Sequence, residues 1–242
     1  MMGAIAGAFA GQVAIVTGAG AGVGRAVALA LAREGAAVGL IARGAAGIAA
    51  VATEIEAAGG RALALPADVT DEAALGAAVA GAVAAFGGLD IVIANAGIGG
   101  RGKVEDTALA DWQAVLATNL TGPFLTVRAA LPHLRARGGG QIIAVSSGAG
   151  KRGYAGMASY CASKFGLHGL MESLAEEVKA DGIRCGVLVP GSILTEFGGR
   201  TIAEKAGSGS KYLTPDDVAA SILHQLRQPP HAWAQEISLW PF

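Results

Sequence analysis

Three side chains within residues 147–164, SGAGKRGYAGMASYCASK, could share proton chemistry: Ser147, Tyr160 thirteen residues on, and Lys164 four residues after that. From about Ala158 to Ala180 there is no proline and the apolar spacing is helical, which predicts a helix. Positions four apart lie on one helix face, so Tyr160 and Lys164 point the same way. An ammonium beside a phenol favours the phenolate, so the expected tyrosine pKa lies below its ordinary value of about 10. Such a tyrosine can act as a general acid/base near neutral pH. Taken alone, the motif reads equally as a surface Tyr–Lys pair. What decides between the two is the set of elements that would have to position it.

Those elements alternate strand and helix. Gln12–Thr17 (QVAIVT) reads as a first strand, residues 18–24 (GAGAGVG) as a glycine-rich turn, and Arg25–Glu34 as a helix. Further strands are predicted at Ala36–Ile41, Ala62–Leu65, Leu89–Ala94, Gln141–Val145, Ile183–Val189 and Glu236–Trp240. Helices are predicted at Ala45–Ala58, Asp71–Phe86, Asp111–Arg137 and Thr214–Gln225, with Pro123 and Pro132 marking irregularities in the third. Thr214 is a cap candidate and Pro215 suits a first helical position. The strands are continuous apolar runs, as in a parallel sheet covered on both faces. The expected fold is therefore α/β: a doubly wound Rossmann fold, with about seven parallel strands and ligands at their carboxyl ends.

Composition agrees. The 242 residues suffice for one domain with a single core, and no linker or repeat interrupts them. A single domain over residues 1–242 is expected, with residues 1–10 as a flexible N-terminal tail. The opening MMGAIAGAFAG is short and lacks a basic flank, so it is not read as a signal peptide. A net charge of −1 points away from nucleic acid and membrane surfaces. No run reaches the roughly eighteen apolar residues of a membrane helix. A cytoplasmic location is expected. Cys161 and Cys185 read as reduced, packed thiols, and His133, His168, His224 and His231 as structural or surface residues. Neither set has ligand spacing, so no metal is expected.

A glycine-rich turn between a first strand and its helix lets backbone N–H groups approach a pyrophosphate at the helix N-terminus. The spacing here is not G-x-G-x-x-G, because Val23 occupies the third glycine position. TGAGAGVG, the NAG of Asn95–Gly97, Asn119, Ser147, Tyr160, Lys164 and Pro190-Gly191 follow one another over residues 10–195. In this set the chain resembles the short-chain dehydrogenase/reductase family, in its compact single-domain branch.

The resemblance implies the following roles. Gly18, Gly20, Ala21, Gly22, Val23 and Gly24 form the pyrophosphate turn. Asp68 and Val69 sit against the adenine, and Asn95, Ala96 and Gly97 line the cofactor. Pro190, Gly191, Ile193 and Thr195 hold the nicotinamide end. Tyr160 donates the proton when hydride reaches a carbonyl, and Ser147 polarises the carbonyl oxygen. Lys164 binds the nicotinamide ribose and lowers the tyrosine pKa, and Asn119 supports a water-linked proton path to Lys164. Neighbours at a strand end face opposite ways, so only one of Ser146 and Ser147 can serve; the thirteen-residue spacing selects Ser147.

Where NAD users of the family carry Asp at the end of the second strand, this chain has Ala42, followed by Arg43. A guanidinium there suits a ribose 2′-phosphate. The expected cofactor is NADP(H), with NAD(H) as the alternative. Residues 192–213 are expected to form a lid, and Ile98, Tyr154, Met157 and Phe197 to line the substrate pocket. The expected activity is interconversion of a small carbonyl compound and its alcohol. A 3-oxoacyl-thioester reductase is the second reading, and a non-catalytic NADP-sensing regulator is a distant third. The resemblance also implies a homotetramer or homodimer.

Overall fold

The computed structural model describes residues 7–242. The elements run β1 (Val13–Thr17), α1 (Gly22–Arg33), β2 (Ala37–Ala42), α2 (Ala45–Ala57), β3 (Arg61–Pro66), α3 (Glu72–Phe86) and β4 (Ile91–Ala94). They continue as α4 (Leu109–Leu116), α5 (Gly122–Arg137), β5 (Gly140–Val145), α6 (Ala158–Val178), β6 (Ile183–Pro190), α7 (Ile202–Ala206), α8 (Pro215–Leu226) and β7 (Glu236–Leu239). The seven strands form one parallel sheet in the order β3-β2-β1-β4-β5-β6-β7. Winding reverses between β1 and β4, which opens a crevice at their carboxyl ends.

Alternation along each strand feeds two separate cores. Ala14 and Val16 of β1 face α1, α2 and α8, whereas Val13 and Ile15 face α3, α5 and α6. Both faces are covered, so every position in β1 is buried and the strand reads as a continuous apolar run. Each fully buried Ile or Leu contributes about 1.5–3 kcal/mol. Helix starts follow the sequence signals. The Asp71 carboxylate accepts from the Ala74 N–H at 3.0 Å ahead of α3. Thr214 and Asp217 close a reciprocal capping box ahead of α8, with Pro215 at its first position.

Two expectations need correction. The stretch 111–137 is not one helix: α4 passes into a π-type turn at Ala117–Thr121 before α5 begins. Pro123 has no N–H to give the Asn119 carbonyl four residues back, so the helical ladder widens there. The flexible tail proposed for residues 1–10 lies outside the described residues over 1–6. Over 7–10 the chain is docked, because Phe9 is too apolar to stay in water. Phe9 is 2% exposed in the core beneath α1 and α8, and its N–H donates to the Glu34 carbonyl at 2.9 Å. Among the described residues, no helix is long and apolar enough to cross a membrane.

Candidate active site

The turn after β1 is shaped by close backbone approach. Gly18 has φ +67°, and a Cβ there would fall 2.9 Å from Asn95 Nδ2. A Cβ at Gly24 would fall 2.2 Å from the Gly18 carbonyl oxygen, so only glycine lets α1 start this close to the turn. Gly20 is less constrained: a Cβ there meets nothing nearer than 3.5 Å. Asn95 Nδ2 donates to the Thr17 carbonyl at 2.9 Å, and Thr17 Oγ1 accepts from the N–H groups of Asn95 and Ala96 at 3.0 and 3.1 Å. Thr17 thus joins the ends of β1 and β4, a role that the sequence did not reveal because it depends on strand order. Among the described residues no side chain caps α1, and its first turn holds no acidic residue. Its leading N–H groups and positive dipole end therefore suit a phosphate. The glycine cradle and this open helix start fit a dinucleotide.

At the outer end of the crevice, Arg43 extends into solvent with Nη1 3.8 Å from Asp68 Oδ2. Asp68 also accepts from the Thr70 N–H at 2.9 Å and hydroxyl at 2.8 Å. The Thr70 backbone bond is the main reason its carboxyl titrates below the ordinary range. Val69 is buried against Gly122, where a Cβ would lie 2.8 Å from Val69 Cγ2.

At the inner end, α6 carries Tyr160 and Lys164 into the protein, 7% and 4% exposed. Lys164 Nζ donates to the Val145 carbonyl at 2.8 Å and lies 5.8 Å from the centre of the Tyr160 ring. The expected lowering of the tyrosine pKa is not what this environment produces. Burial raises the Tyr160 pKa above its ordinary value, and hydrogen bonding with Ser147 offsets part of the rise. Burial also pulls the Lys164 pKa down to about 8. Desolvation acts on both members of the pair and is the main cause of each shift.

The π-type turn places Asn119 at complete burial. Its Oδ1 accepts from the Ile98 N–H at 2.8 Å, and its Nδ2 donates to the Ile98 carbonyl at 2.9 Å and to Ser163 Oγ at 3.2 Å. Ser163, which the sequence did not single out, donates back to the Tyr160 carbonyl at 2.7 Å. Asn119 thus links the loop after β4 to α6, and Ile98 enters the candidate site through its backbone.

Of the pocket candidates, Tyr154 and Met157 pack with Tyr160, and the Phe197 ring lies 5.9 Å from the Tyr160 ring. Gly191 donates its N–H to the Leu239 carbonyl at 2.8 Å, next to Pro190 at the end of β6. Ile193 pairs with Leu213, and the Thr195 methyl sits 3.3 Å from where a Gly22 Cβ would be. The segment 192–213, expected to form a lid, is anchored within itself. Lys205, 8% exposed, donates from Nζ to the carbonyls of Thr195 and Phe197 at 2.5 and 2.8 Å. Cys161 and Cys185 are buried free thiols, the second pushed up to about 12 by burial. Ser146 Oγ is taken up by His168, 2.9 Å from its Nε2.

Comparison with known proteins agrees with this geometry. Residues 12–206 match the short chain dehydrogenase family. D-threitol dehydrogenase of Mycolicibacterium smegmatis is 35% identical over 87% of this chain and 84% of its own length. Glycine betaine reductase ATRR of Emericella nidulans is 35% identical over 97% of this chain, which spans only 19% of that protein. A metagenomic short-chain oxidoreductase solved in complex with NADP superposes with a TM-score of 0.84. It is 37% identical, over 97% of this chain and 98% of that one. With this glycine turn, this sheet order and these matches, the chain belongs to the short-chain dehydrogenase/reductase family of oxidoreductases.

Proposed function

We propose that this protein is an NADP(H)-dependent oxidoreductase that interconverts a carbonyl compound and its primary or secondary alcohol, with Tyr160 as the general acid/base. The observation that carries the reading is the convergence of Ser147, Tyr160 and Lys164 at the carboxyl ends of the strands, beside a glycine turn that fits a dinucleotide. The NADP held by the 37%-identical solved relative supports the choice of cofactor.

A bound nicotinamide dinucleotide supplies the hydride or takes it back. The N–H groups around Gly22, Val23 and Gly24 hold the pyrophosphate, helped by the turn at Gly18, Gly20 and Ala21. Arg43 meets the 2′-phosphate, and Asp68 and Val69 lie against the adenine. Asn95, Ala96 and Gly97 form the floor, and Pro190, Gly191, Ile193 and Thr195 hold the nicotinamide end. As hydride reaches the carbonyl carbon, Tyr160 gives its proton to the oxygen and Ser147 donates a hydrogen bond to the same atom. One C–H bond and one O–H bond form, and the carbonyl becomes an alcohol; oxidation runs the same steps backwards. Ser147 stabilises charge that develops mainly in the transition state. Lys164 holds the ribose and returns a proton to Tyr160, and Asn119 keeps α6 in register with the Ile98 loop.

The test is oxidation of NADPH against a panel of ketones, aldehydes, sugar-like carbonyls and 3-oxoacyl thioesters, in the wild type and in Tyr160→Phe. Turnover of one class by the wild type, and its abolition in Tyr160→Phe with NADPH still bound, is the expected result. Tyr160→Phe turning over at the wild-type rate would remove Tyr160 from the chemistry. Turnover confined to the thioesters would replace the small-carbonyl reading.

A further inference from the structure

The loop that carries Ser147 is gripped on two sides, directly by Trp240 just after β7 and, on the other side, by His168 of α6 with Glu236 of β7 behind it. On one side, the six-membered ring of the Trp240 indole packs against two glycines. A Cβ at Gly148 would fall 2.5 Å from Trp240 Cη2, and a Cβ at Gly191 would fall 2.8 Å from Trp240 Cε3. Gly148 follows Ser147 directly, and Gly191 belongs to the loop after β6. One ring therefore bridges the two loops that flank the candidate catalytic centre.

On the other side runs a polar chain from the surface inward, exposed at Lys151 and Glu236 and buried at His168 and Ser146. The Glu236 carboxylate pairs with Lys151 and lies 3.5 Å from His168 Nδ1. His168 Nε2 and Ser146 Oγ are 2.9 Å apart, both almost fully buried. Gly150 lies against that pair: a Cβ there would fall 2.7 Å from Ser146 Oγ and 2.8 Å from His168 Nε2. The turn Gly148–Gly150 is thus held at its first residue by Trp240 and at its last by His168. Neither glycine has a positive φ that would explain the choice of residue. What excludes a side chain at each position is the group that grips it.

We propose that Trp240 and Glu236 are positioning residues, and that the β7 segment acts as a strap that fixes the Ser147 loop against α6 and the β6 loop. β7 is well placed for this. It pairs in parallel with β6 from Val187↔Glu236 to Pro190↔Leu239, so a shift of the strap moves both loops together. Hydrogen bonding to the carbonyl oxygen depends steeply on the placement of the Ser147 hydroxyl, and a misplacement of about 1 Å costs about 100-fold in rate. The proposal rests on the reading of Ser147 as the carbonyl-polarising group.

The experiment compares Trp240→Ala, Gly148→Ala, their double variant and Glu236→Ala with the wild type. It reads kcat and KM on the carbonyl substrate, and hydrogen–deuterium exchange in the segment 147–152. Trp240→Ala should lower kcat by about 10- to 100-fold with a smaller change in KM, and exchange in 147–152 should rise. Glu236→Ala should raise exchange in the same segment through the other arm. Gly148→Ala and Trp240→Ala act through one contact, so the double variant should be no slower than Trp240→Ala alone. Losses that multiply in the double variant, or exchange that is unchanged in both Trp240→Ala and Glu236→Ala, would overturn the strap. A wild type that turns over no carbonyl, while exchange rises in the variants as expected, would instead count against the reading of the reaction.

Discussion

Burial of the Lys164 ammonium leaves a pH signature on stability. Its pKa in the folded protein is about 8, against an ordinary 10.5. Between those two values the unfolded chain binds more protons than the folded one, so stability contributed at this position rises with pH. Below about pH 8 the full cost of the buried charge is present. Lys164→Met carries no such charge. The wild-type Tm, measured against that of Lys164→Met without cofactor, should therefore climb from pH 8 towards pH 10.5. A difference that stays flat over that range would mean that the ammonium is not desolvated. Arg43 supports a second prediction at this scale. Its guanidinium is exposed and only loosely paired with Asp68, so it is free to turn to a phosphate. A charge-assisted contact is worth about 1.5–3 kcal/mol, so Arg43→Ala should cut the ratio of kcat/KM for NADPH over NADH by roughly ten- to hundred-fold. An unchanged ratio would show that Arg43 does not read the 2′-phosphate.

Among the elements, the π-type turn between α4 and α5 has the clearest consequence. It turns the Asn119 carboxamide towards the loop after β4, where it bonds both backbone groups of Ile98. Removing the carboxamide leaves an N–H and a carbonyl of a half-buried loop without their partner, which costs about 1–3 kcal/mol. Asn119→Ala should therefore lower unfolding stability by about that amount, in addition to any loss of turnover. Urea denaturation of the cofactor-free protein measures this directly. A variant as stable as the wild type would show that Ile98 finds other partners, and would restrict Asn119 to the proton path.

At the scale of the whole molecule, α5 and α6 keep large apolar side chains on the surface. Phe124 is 42% exposed and Phe165 48%. Helices already packed on a sheet by one face have no internal use for apolar groups on the other. Together with the family resemblance, this supports a homo-oligomer, a tetramer or dimer, with an isologous interface across these helices. Light scattering at micromolar concentration should give a mass at least twice that of one chain. Phe165→Glu should shift it towards the monomer. A monomeric wild type would rule the assembly out.

The sequence by itself determined the alternation of elements, because continuous apolar runs between glycine and capping signals have few other solutions. It also determined that Tyr160 and Lys164 share a helix face, since a spacing of four residues does that in any helix. The preference for Ser147 over Ser146 came from spacing and from the pleat of a strand end. The docking of Phe9 and the interruption after Leu116 were less legible, the second marked only by Pro123. Other features were decided by tertiary structure alone. The direction of the Tyr160 pKa depends on how much protein surrounds the phenol, and no local pairing rule contains that quantity. The roles of Thr17, Ser163, His168, Lys205 and Trp240 arise from partners 78, 44, 22, 10 and 92 residues away along the chain. The Thr17 and Trp240 contacts exist only once the sheet has set β4 beside β1 and β7 beside β6. Local periodicity reports which face of an element is buried, and long-range packing selects what it is buried against.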